Sequence, residues 1–277
     1  MSERESLKVV GRRRIRWGLA RIQAVLDRAQ RQFGSEGHVG PDRHLGWCNY
    51  QNVIYRTLEY QHWENKADVI PIGNYYEFGL AVGFTFKRAY RAISEIARDL
   101  GMADTTAFGV KMFGFDSFEG LPEPGEWDRR EGWEQGTFAN TKENFVAAMD
   151  AELIPRQAYE LVEGYYEKSL TNELRRRLDG SKPSIVMMDC DFYSSTKTVL
   201  EWLRPLLRDG TMFMFDDIWA YMGHPDFGEL RAIREFNEQK DGLLVPHVFG
   251  GSTQQVYVYT TGYQGAAYKQ YLAAAKK

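Results

Sequence analysis

From about residue 70 onward, short apolar runs alternate with stretches in which apolar residues recur at helical spacing. The short runs predict strands and the longer stretches predict helices. Strands are expected at residues 74–78, 108–115, 158–163, 184–189, 211–215, 243–248 and 255–260. Helices are expected at about residues 85–100, 141–150, 169–179, 195–207 and 227–239. This alternation predicts an α/β fold with a doubly wound, seven-stranded, mostly parallel sheet and right-handed crossovers.

The first 68 residues do not follow that alternation. Apolar spacing predicts one helix over residues 12–33, which Gly34 ends, and a second over residues 52–64. We therefore predict an N-terminal helical cap or lid with a basic arm over residues 1–68. The α/β domain is expected over residues 69–277.

Polar residues at two of the predicted helix starts have the types and spacing of N-terminal caps. Asn140 is expected to cap the helix at 141–150, with Glu143 as its partner. Asp226 and Glu229 have the spacing of a capping box for the helix at 227–239.

Pairs of acids follow two of the apolar runs. Asp189 and Asp191 follow the run SIVMM, and Asp216 and Asp217 follow the run TMFMF. Such runs are typical of strands buried on both faces, and parallel strands deliver their carboxyl ends to the ligand crevice. Four carboxylates in one site would repel each other, so some would stay protonated unless a cation binds. Oxygen ligands without a His or Cys cluster favour Mg²⁺. Helix capping and surface turns are the alternative explanation.

The first predicted strand runs into a glycine turn. Glu77 lies near the end of the strand, Gly79 and Gly83 are separated by three residues, and Thr85 begins the next helix. Glycines let a backbone approach a ligand beside a helix N-terminus. The spacing is not that of a dinucleotide fingerprint. An acid ahead of the glycines suits a positively charged ligand such as S-adenosylmethionine better than a pyrophosphate. An ordinary tight turn is the alternative.

The second and third strands also end in polar residues. Asp116, followed by Ser117, is in the position of an acid that binds ribose hydroxyls, although it comes 33 residues after Gly83, further than the usual ~20. A simple turn acid is the alternative. Glu163, Gly164 and Tyr165 are expected to border a flat adenine ring, with packing as the alternative for Tyr165.

Several stretches together resemble the macrocin O-methyltransferase (TylF-like) family. They are YYEFGLAVGFT, GFDSFEGLPEP, VEGYYEKSL, MMDCDFYSSTKTVLEWLRPLLRDGTMFMFDDIW and GELRAIREF, which cover roughly residues 70–240 in the family's order. The resemblance implies a Rossmann-like class I methyltransferase fold, S-adenosylmethionine as methyl donor and Mg²⁺-dependent methylation of a hydroxyl. Members of the family typically act on sugar hydroxyls of natural products.

The resemblance also implies roles for single residues. Asp189, Asp216 and Asp217 match the metal ligands, and Asp191 matches the general base. The remaining matches concern the donor: Glu77, Gly79 and Gly83 for the turn, Asp116 and Ser117 for the ribose, and Glu163 to Tyr165 for the adenine. Residues 1–68 and 126–139 match nothing in the family, and these stretches would shape the acceptor pocket. The aromatic segments around Trp47 and around Trp127 are either lids or packed insertions.

A metal-dependent nucleotide-sugar glycosyltransferase is the alternative function. In it, Asp189 and Asp191 would form a D-x-D motif that holds a metal and a sugar diphosphate. That hypothesis leaves Asp216, Asp217 and the glycine turn unexplained. A nicotinamide oxidoreductase is disfavoured by the poor dinucleotide fingerprint, and a donor-binding module without activity is a third possibility.

Composition and charge limit the classes of binding partner that we expect. The formal charge of -3 gives no reason to expect nucleic acid, although the first 31 residues hold nine basic and three acidic residues. Those basic residues indicate a solvated helix face, or else an arm for an anionic partner or a neighbouring subunit in a homo-oligomer. No apolar run reaches the ~18 residues of a membrane span. Two cysteines and the absence of an apolar leader favour the cytoplasm. The expected partner is a small molecule with a hydroxyl group.

Overall fold

Within the residues that this computed structural model describes (49–66, 72–239, 241–249 and 255–261), seven strands pair into one sheet. The strands are β1 (Asn74–Phe78), β2 (Met112–Asp116), β3 (Tyr159–Glu163), β4 (Pro183–Met188), β5 (Met212–Phe215), β6 (Leu243–Phe249) and β7 (Gln255–Thr260). Their order is β3-β2-β1-β4-β5-β7-β6. The first five strands run parallel, and β7 is antiparallel to both β5 and β6. The predicted doubly wound, mostly parallel, seven-stranded fold is confirmed.

The helices follow the predicted alternation. They are α1 (Asn49–Lys66), α2 (Phe84–Asp99), α3 (Thr105–Phe108), α4 (Lys142–Ala151), α5 (Tyr166–Ser169), α6 (Asn172–Leu178), α7 (Tyr193–Leu203) and α8 (Gly228–Glu238). Short 3-10 turns at Arg156–Ala158, Asp179–Ser181 and Arg204–Leu206 join them to the strands. Two helices are shorter than predicted: α6 begins at Asn172 after the separate turn α5, and Pro205 lies in the 3-10 turn that follows α7.

The sheet is buried where its strands are most apolar. All six residues of β4 are buried, and four of the five residues of β1 are buried. Helix α2 covers this sheet with an apolar face that includes Phe86, Ile93 and Ile96, all completely buried. Burial on both faces leaves the carboxyl ends of the central strands as the place where polar side chains can reach solvent.

The second strand starts later than predicted. Residues 105–108 form the helical turn α3 because Asp104 caps it: its Oδ1 accepts the Ala107 N–H at 2.8 Å. Gly109, at φ +82°, then ends the turn in the left-handed region. The strand predicted from residue 108 therefore begins at Met112.

Both predicted caps are wrong in detail. Helix α4 is capped by Thr141, whose hydroxyl accepts the Asn144 N–H at 3.1 Å, while Asn140 donates from Nδ2 to the Ala81 carbonyl at 2.7 Å. Helix α8 has Phe227 at its N-cap and no side-chain cap. Asp226 pairs instead with Arg234 at 3.0 Å.

Helix α1 packs against α2 and belongs to the same compact unit as the sheet, which begins at Asn49. The Tyr55 hydroxyl donates to Asp99 Oδ2 at 2.8 Å, and Gln61 Nε2 donates to the Gly210 carbonyl at 3.1 Å. The predicted helix at 12–33, the basic arm and Trp47 lie outside the described residues. The predicted boundary between residues 68 and 69 stays a prediction. Among the helices described, none has the length and apolar character to cross a bilayer.

Candidate active site

The acids predicted to share a site meet at the carboxyl edge of the sheet, where β4 lies between β1 and β5. The Asp189 N–H donates to the Phe78 carbonyl of β1 at 2.9 Å, and the Asp216 N–H donates to the Met188 carbonyl of β4 at 3.0 Å. These bonds extend the strand pairing by one residue. They place Asp216 beside Asp189. Asp189 lies next to the β1–β4 junction, where the strand order reverses and where open α/β sheets bind ligands.

Three carboxylates at this edge form a group with metal-site geometry. Asp189, Asp216 and Asp217 each offer one oxygen, and these oxygens lie within 4.8 Å of one another. All donors are carboxylate oxygens from half-buried side chains. A hard cation such as Mg²⁺ prefers this donor set, so the residues present fit the predicted ion.

The electrostatics of the group indicate that the carboxylates repel one another. Burial raises the pKa of Asp189 well above its usual range, and the neighbouring acids raise it further. Burial raises the pKa of Asp217 to about 7, with Asp216 as the next cause. Oδ2 of Asp217 is buried and has no hydrogen-bond partner. A cation would relieve both the repulsion and the unsatisfied oxygen.

Asp191 lies beside this group but is held differently. Its backbone is in the left-handed region at φ +61°, between β4 and α7. Burial raises the pKa of Asp191 well above its usual range, and so do Asp217 and Asp216, whereas Arg130 lowers it. Cys190 points into the core, with 4% of its surface exposed.

Sequence reasoning missed the role of a fifth acid at this edge. Glu229 in the first turn of α8 is 1% exposed, and its Oε2 accepts the Asp217 N–H at 2.8 Å. Its Oε1 is buried without a partner, and burial raises its pKa well above the usual range. Its capping-box spacing was visible in the sequence, but the carboxylate braces Asp217 rather than the start of its own helix.

Glu77 lies on β1, the neighbour of β4, and its side chain points into the protein interior. None of Glu77 is exposed, and its two carboxyl oxygens accept from the hydroxyls of Tyr75 and Thr85. Burial raises the pKa of Glu77 to about 8. The carboxyl group therefore ties the end of β1 to the first turn of α2, directly behind the glycine turn.

The two predicted glycines have conformational reasons to be glycine. Gly79 is at φ +87°, and a Cβ there would overlap the Asp189 carbonyl. Gly83 is at φ +72°, caps α2, and a Cβ there would press on Met149 and Phe145. Between them Val82 is 51% exposed, so the turn lies at the protein surface.

Asp116 is at the end of β2, as predicted, and braces the same turn. Its Oδ2 accepts the Leu80 N–H at 2.6 Å and the Ala81 N–H at 3.3 Å, and its Oδ1 accepts the Phe118 N–H at 2.7 Å. Ser117 is turned into its own loop, where its hydroxyl donates to the Gly120 carbonyl at 2.8 Å.

The third predicted segment lies beside β2. Glu163 pairs with Asp116 in the strand register, is exposed, and accepts from Lys142 Nζ at 2.9 Å. The Gly164 N–H donates to the Asp116 carbonyl at 2.9 Å, and Tyr165 forms the N-cap of α5. Thus the predicted donor residues collect at the ends of β1, β2 and β3, and the predicted metal residues at the ends of β4 and β5.

The loop between β2 and α4, residues 117–140, is packed against the acids. We call it the insertion. Trp133 is 8% exposed and contacts the rings of Phe192 and Tyr221 at centroid distances of 6.0 and 6.1 Å. Arg130 stacks on Trp133 with its guanidinium 4.1 Å from the ring centroid. The sequence left this segment as either a lid or a packed insertion. Trp133 is packed in the way that the second alternative predicts.

Comparisons with known proteins concern the family and the fold. A family model described as Macrocin-O-methyltransferase (TylF) matches residues 89–242, more than half of the chain. The solved structure of CalS11, described as a calicheamicin methyltransferase, is 21% identical over 76% of this chain and 77% of that chain, with a TM-score of 0.58. The structure of the O-methyltransferase NovP is 20% identical over 76% of this chain and 79% of that chain, with a TM-score of 0.54. A search of curated proteins found no match.

Proposed function

We propose that this chain, which belongs to the macrocin O-methyltransferase family and is therefore an S-adenosylmethionine-dependent O-methyltransferase, methylates a sugar hydroxyl of a natural product with the help of Mg²⁺. One observation carries the proposal. A group of mutually repelling carboxylates lies one strand away from a braced glycine turn, at the crevice of a doubly wound sheet.

The metal part of the proposal rests on Asp189, Asp216 and Asp217. Their oxygens are within 4.8 Å of one another, and the unsatisfied Oδ2 of Asp217 is one of the atoms available to a cation. Glu229 fixes the backbone of Asp217 and so helps to orient that ligand. When bound, the cation supplies Lewis acidity that makes an alcohol easier to deprotonate.

Asp191 is the proposed base. An alcohol is a weak nucleophile at neutral pH, and a carboxylate within hydrogen-bond reach can accept its proton in the transition state. Asp191 lies beside the proposed metal ligands, so a hydroxyl held at those ligands is within the same small volume. It accepts the proton on a carboxylate oxygen. Burial and the neighbouring acids raise the pKa of Asp191, whereas the positive charges of Arg130 and of the proposed cation favour its ionised form.

The donor would be held by the ends of β1, β2 and β3. S-adenosylmethionine supplies an electrophilic methyl group on a positively charged sulfur. Gly79 and Gly83 add no side chains to the turn. Glu77 accepts from the Thr85 hydroxyl just after the turn, and Asp116 accepts from the Leu80 N–H within it. Glu163 to Tyr165 line the neighbouring strand end. Fixing the donor in this way removes the entropic cost of orientation, which can supply ~7–11 kcal/mol of the barrier.

The acceptor class is supported by the surface beside the acids. Met222 is 92% exposed, Trp219 is 47% exposed and Trp127 is 40% exposed, all in the insertion or in the loop that follows Asp217. Such apolar side chains can cover the non-polar part of a small molecule while a few polar groups orient it. The calicheamicin methyltransferase named above shares the fold, which is consistent with a natural-product acceptor.

The glycosyltransferase alternative is not favoured. In that hypothesis Asp189 and Asp191 alone would hold the metal, whereas Asp216 and Asp217 join the same group of acids. It also lacks a function for the braced glycine turn, which the methyltransferase proposal uses.

Calorimetry and an activity assay test the proposal. S-adenosylmethionine, a nucleotide sugar and NAD are each titrated with and without Mg²⁺, and hydroxylated acceptors are then screened by mass spectrometry for the gain of one CH₂. Of the three ligands, we expect only S-adenosylmethionine to bind. We also expect EDTA to lower methyl transfer by at least ~10-fold and Mg²⁺ to restore it, since an ion that stabilises a developing alkoxide contributes several kcal/mol. Tight binding of the nucleotide sugar without the methyl donor would overturn the function. Full activity in EDTA would overturn the metal.

A further inference from the structure

Helix α7, which directly follows the proposed base, lacks a cap of its own. Its N-cap residue is Phe192, which offers no side-chain hydrogen bond. The first N–H groups of a helix need partners from elsewhere. Asp128 of the insertion supplies one from 66 residues away: its Oδ1 accepts the Ser194 N–H at 3.0 Å, and its Oδ2 accepts the Ser194 hydroxyl at 2.6 Å.

Asp128 is also the point where the insertion is tied to the rest of the site. It is 1% exposed, and its Oδ2 also accepts the Gly125 N–H at 3.1 Å. Its own carbonyl accepts from the Tyr221 hydroxyl at 3.2 Å. Tyr221 lies in the loop that follows Asp217. Asp128 therefore connects the insertion to both segments that carry acids of the site.

The residue that this arrangement holds in place is Asp191. A left-handed backbone at φ +61° is unfavourable for a residue with a side chain and persists only where neighbours enforce it. On one side Asp191 is fixed by β4. On the other side Phe192 is completely buried against Trp133, and Ser194 is bonded to Asp128. The insertion thus contacts the first turn of α7 at both of these residues.

We propose that Asp128 is a positioning residue that fixes the first turn of α7 and thereby holds the Asp191 carboxylate where it accepts the acceptor's proton. The inference rests on the proposed role of Asp191. It makes residues 117–140 a fixed wall of the catalytic site, with Asp128 as the buried carboxylate that ties this wall to α7.

Turnover and binding of wild type, Asp128→Ala, Asp128→Asn and Ser194→Ala test this inference. Asp128→Ala is expected to lower kcat by ~10- to 100-fold, the range seen when a group that orients a catalytic ligand is removed. KM for the methyl donor is expected to stay within about twofold, because the donor contacts lie at other strand ends. Asp128→Asn keeps an oxygen for the Ser194 N–H and is expected to recover part of the loss. Glu131→Gln, an exposed acid in the same insertion, is the matched control and should leave kcat unchanged.

A double mutant separates positioning from general damage. If Asp128 acts through Asp191, adding Asp128→Asn to Asp191→Asn should lower kcat no further, because residues that act as a unit are not additive. A further loss equal to that of Asp128→Asn alone would overturn the inference. So would folded Asp128 variants with wild-type kcat. If both Asp128 variants fail to fold, Ser194→Ala decides: we expect a ~3- to 10-fold lower kcat from the loss of one hydrogen bond to a carboxylate, and an unchanged kcat contradicts the proposal.

The same assay distinguishes failure of the positioning role of Asp128 from failure of the proposed role of Asp191 as the base. Loss of turnover in Asp191→Asn together with normal turnover in the Asp128 variants would contradict the positioning role alone. Normal turnover in Asp191→Asn would contradict the role of Asp191 itself.

Discussion

The carboxyl edge of the sheet has two halves whose acids are in opposite situations. In the donor half, at the ends of β1 to β3, each acid has partners within the protein: hydroxyls for Glu77, backbone N–H groups for Asp116 and Lys142 for Glu163. In the acid half, at the ends of β4 and β5, the carboxylates face each other. There, burial and mutual repulsion raise the pKa of Asp189, and Asp217 keeps a buried oxygen without a partner.

The difference separates a scaffold from a reactive site. Acids that accept hydrogen bonds inside the protein stabilise the turn that they hold, and they need no ligand to do so. Acids that repel each other destabilise the folded state when they are ionised, so they are retained for a ligand or a reaction. The comparison predicts large functional effects in the acid half and a small functional effect for Glu77.

The strongest test of the acid half is Asp191→Asn. Its amide has nearly the shape of the carboxylate but cannot accept a proton as a base. We expect turnover to fall by ~10²- to 10⁴-fold, the usual contribution of general base catalysis. Calorimetry should show donor and Mg²⁺ binding close to wild type, because Asp191 is not one of the three grouped metal ligands.

A surface acid provides the control. Asp226→Asn removes an exposed ion pair with Arg234 and should leave turnover unchanged, since such pairs contribute little. Unchanged turnover in Asp191→Asn would mean that the acid half contains no base, and the contrast with the donor half would reduce to metal binding.

A smaller effect is expected on stability, through Asp217. Its pKa in the folded protein is about 7, against ~3.9 in an unfolded chain. The folded state therefore holds this proton more tightly, so the stabilisation is present below about pH 4 and is lost as the pH rises towards 7. In EDTA, the melting temperature of wild type should fall over this range more than that of Asp217→Asn, whose amide does not ionise.

Mg²⁺ should act in the opposite direction in the same measurement. The ion competes with protons for the carboxylates, so it should raise the melting temperature more at pH 8 than at pH 5. At a concentration about 100 times its Kd, binding contributes ~2.7 kcal/mol, or roughly 5–10 °C for a domain of this size. An equal rise at both pH values, or none, would contradict a metal site at these carboxylates.

The contrast between the halves was only partly visible in the sequence. The apolar runs of β4 and β5 predict burial on both faces, and this alone places Asp189 and Asp216 at one edge. The family resemblance added the expected roles. The partners of Glu77 and Asp116 were not predictable, because they depend on which hydroxyls and N–H groups the folded turn presents.

Contacts between segments far apart in the chain are the main feature of the site that the sequence did not predict. Asp128 and Ser194 are 66 residues apart, and nothing in a single sequence pairs them. Glu229 had the spacing of a capping box, yet the Asp217 N–H twelve residues earlier is its partner. Asn140 and Thr141 are both good capping residues. The choice of Thr141 follows from the bond between Asn140 and Ala81, which exists only after the turn has folded.

The smallest effect on function is expected from Glu77→Gln in the donor half. The pKa of Glu77 is about 8, so at pH 7 this carboxyl is mostly protonated, and a neutral amide of similar shape can replace it. The hydroxyls of Tyr75 and Thr85 can rotate to suit the amide. In an unfolded chain this carboxyl ionises above pH ~4.3, so at pH 7 wild type takes up a proton on folding and the amide variant does not. We therefore expect Glu77→Gln to melt at or above the wild-type temperature at pH 7, and the donor Kd to change less than about threefold, which is under 1 kcal/mol.

The pH dependence of the same variant shows whether Glu77 belongs with the scaffold. Because its folded pKa is raised, wild type loses the contribution of Glu77 as the pH rises through 8, whereas the amide variant does not. Glu77→Gln should therefore gain stability relative to wild type as the pH rises from about 4 to 8, and the difference should level off above pH 8. A donor Kd at least ~10-fold weaker in the variant, equivalent to 1.4 kcal/mol, would instead mean that an ionised Glu77 binds the positive charge of the donor. In that case both halves of the edge would hold acids kept for a ligand, and the division between scaffold and reactive site would no longer stand.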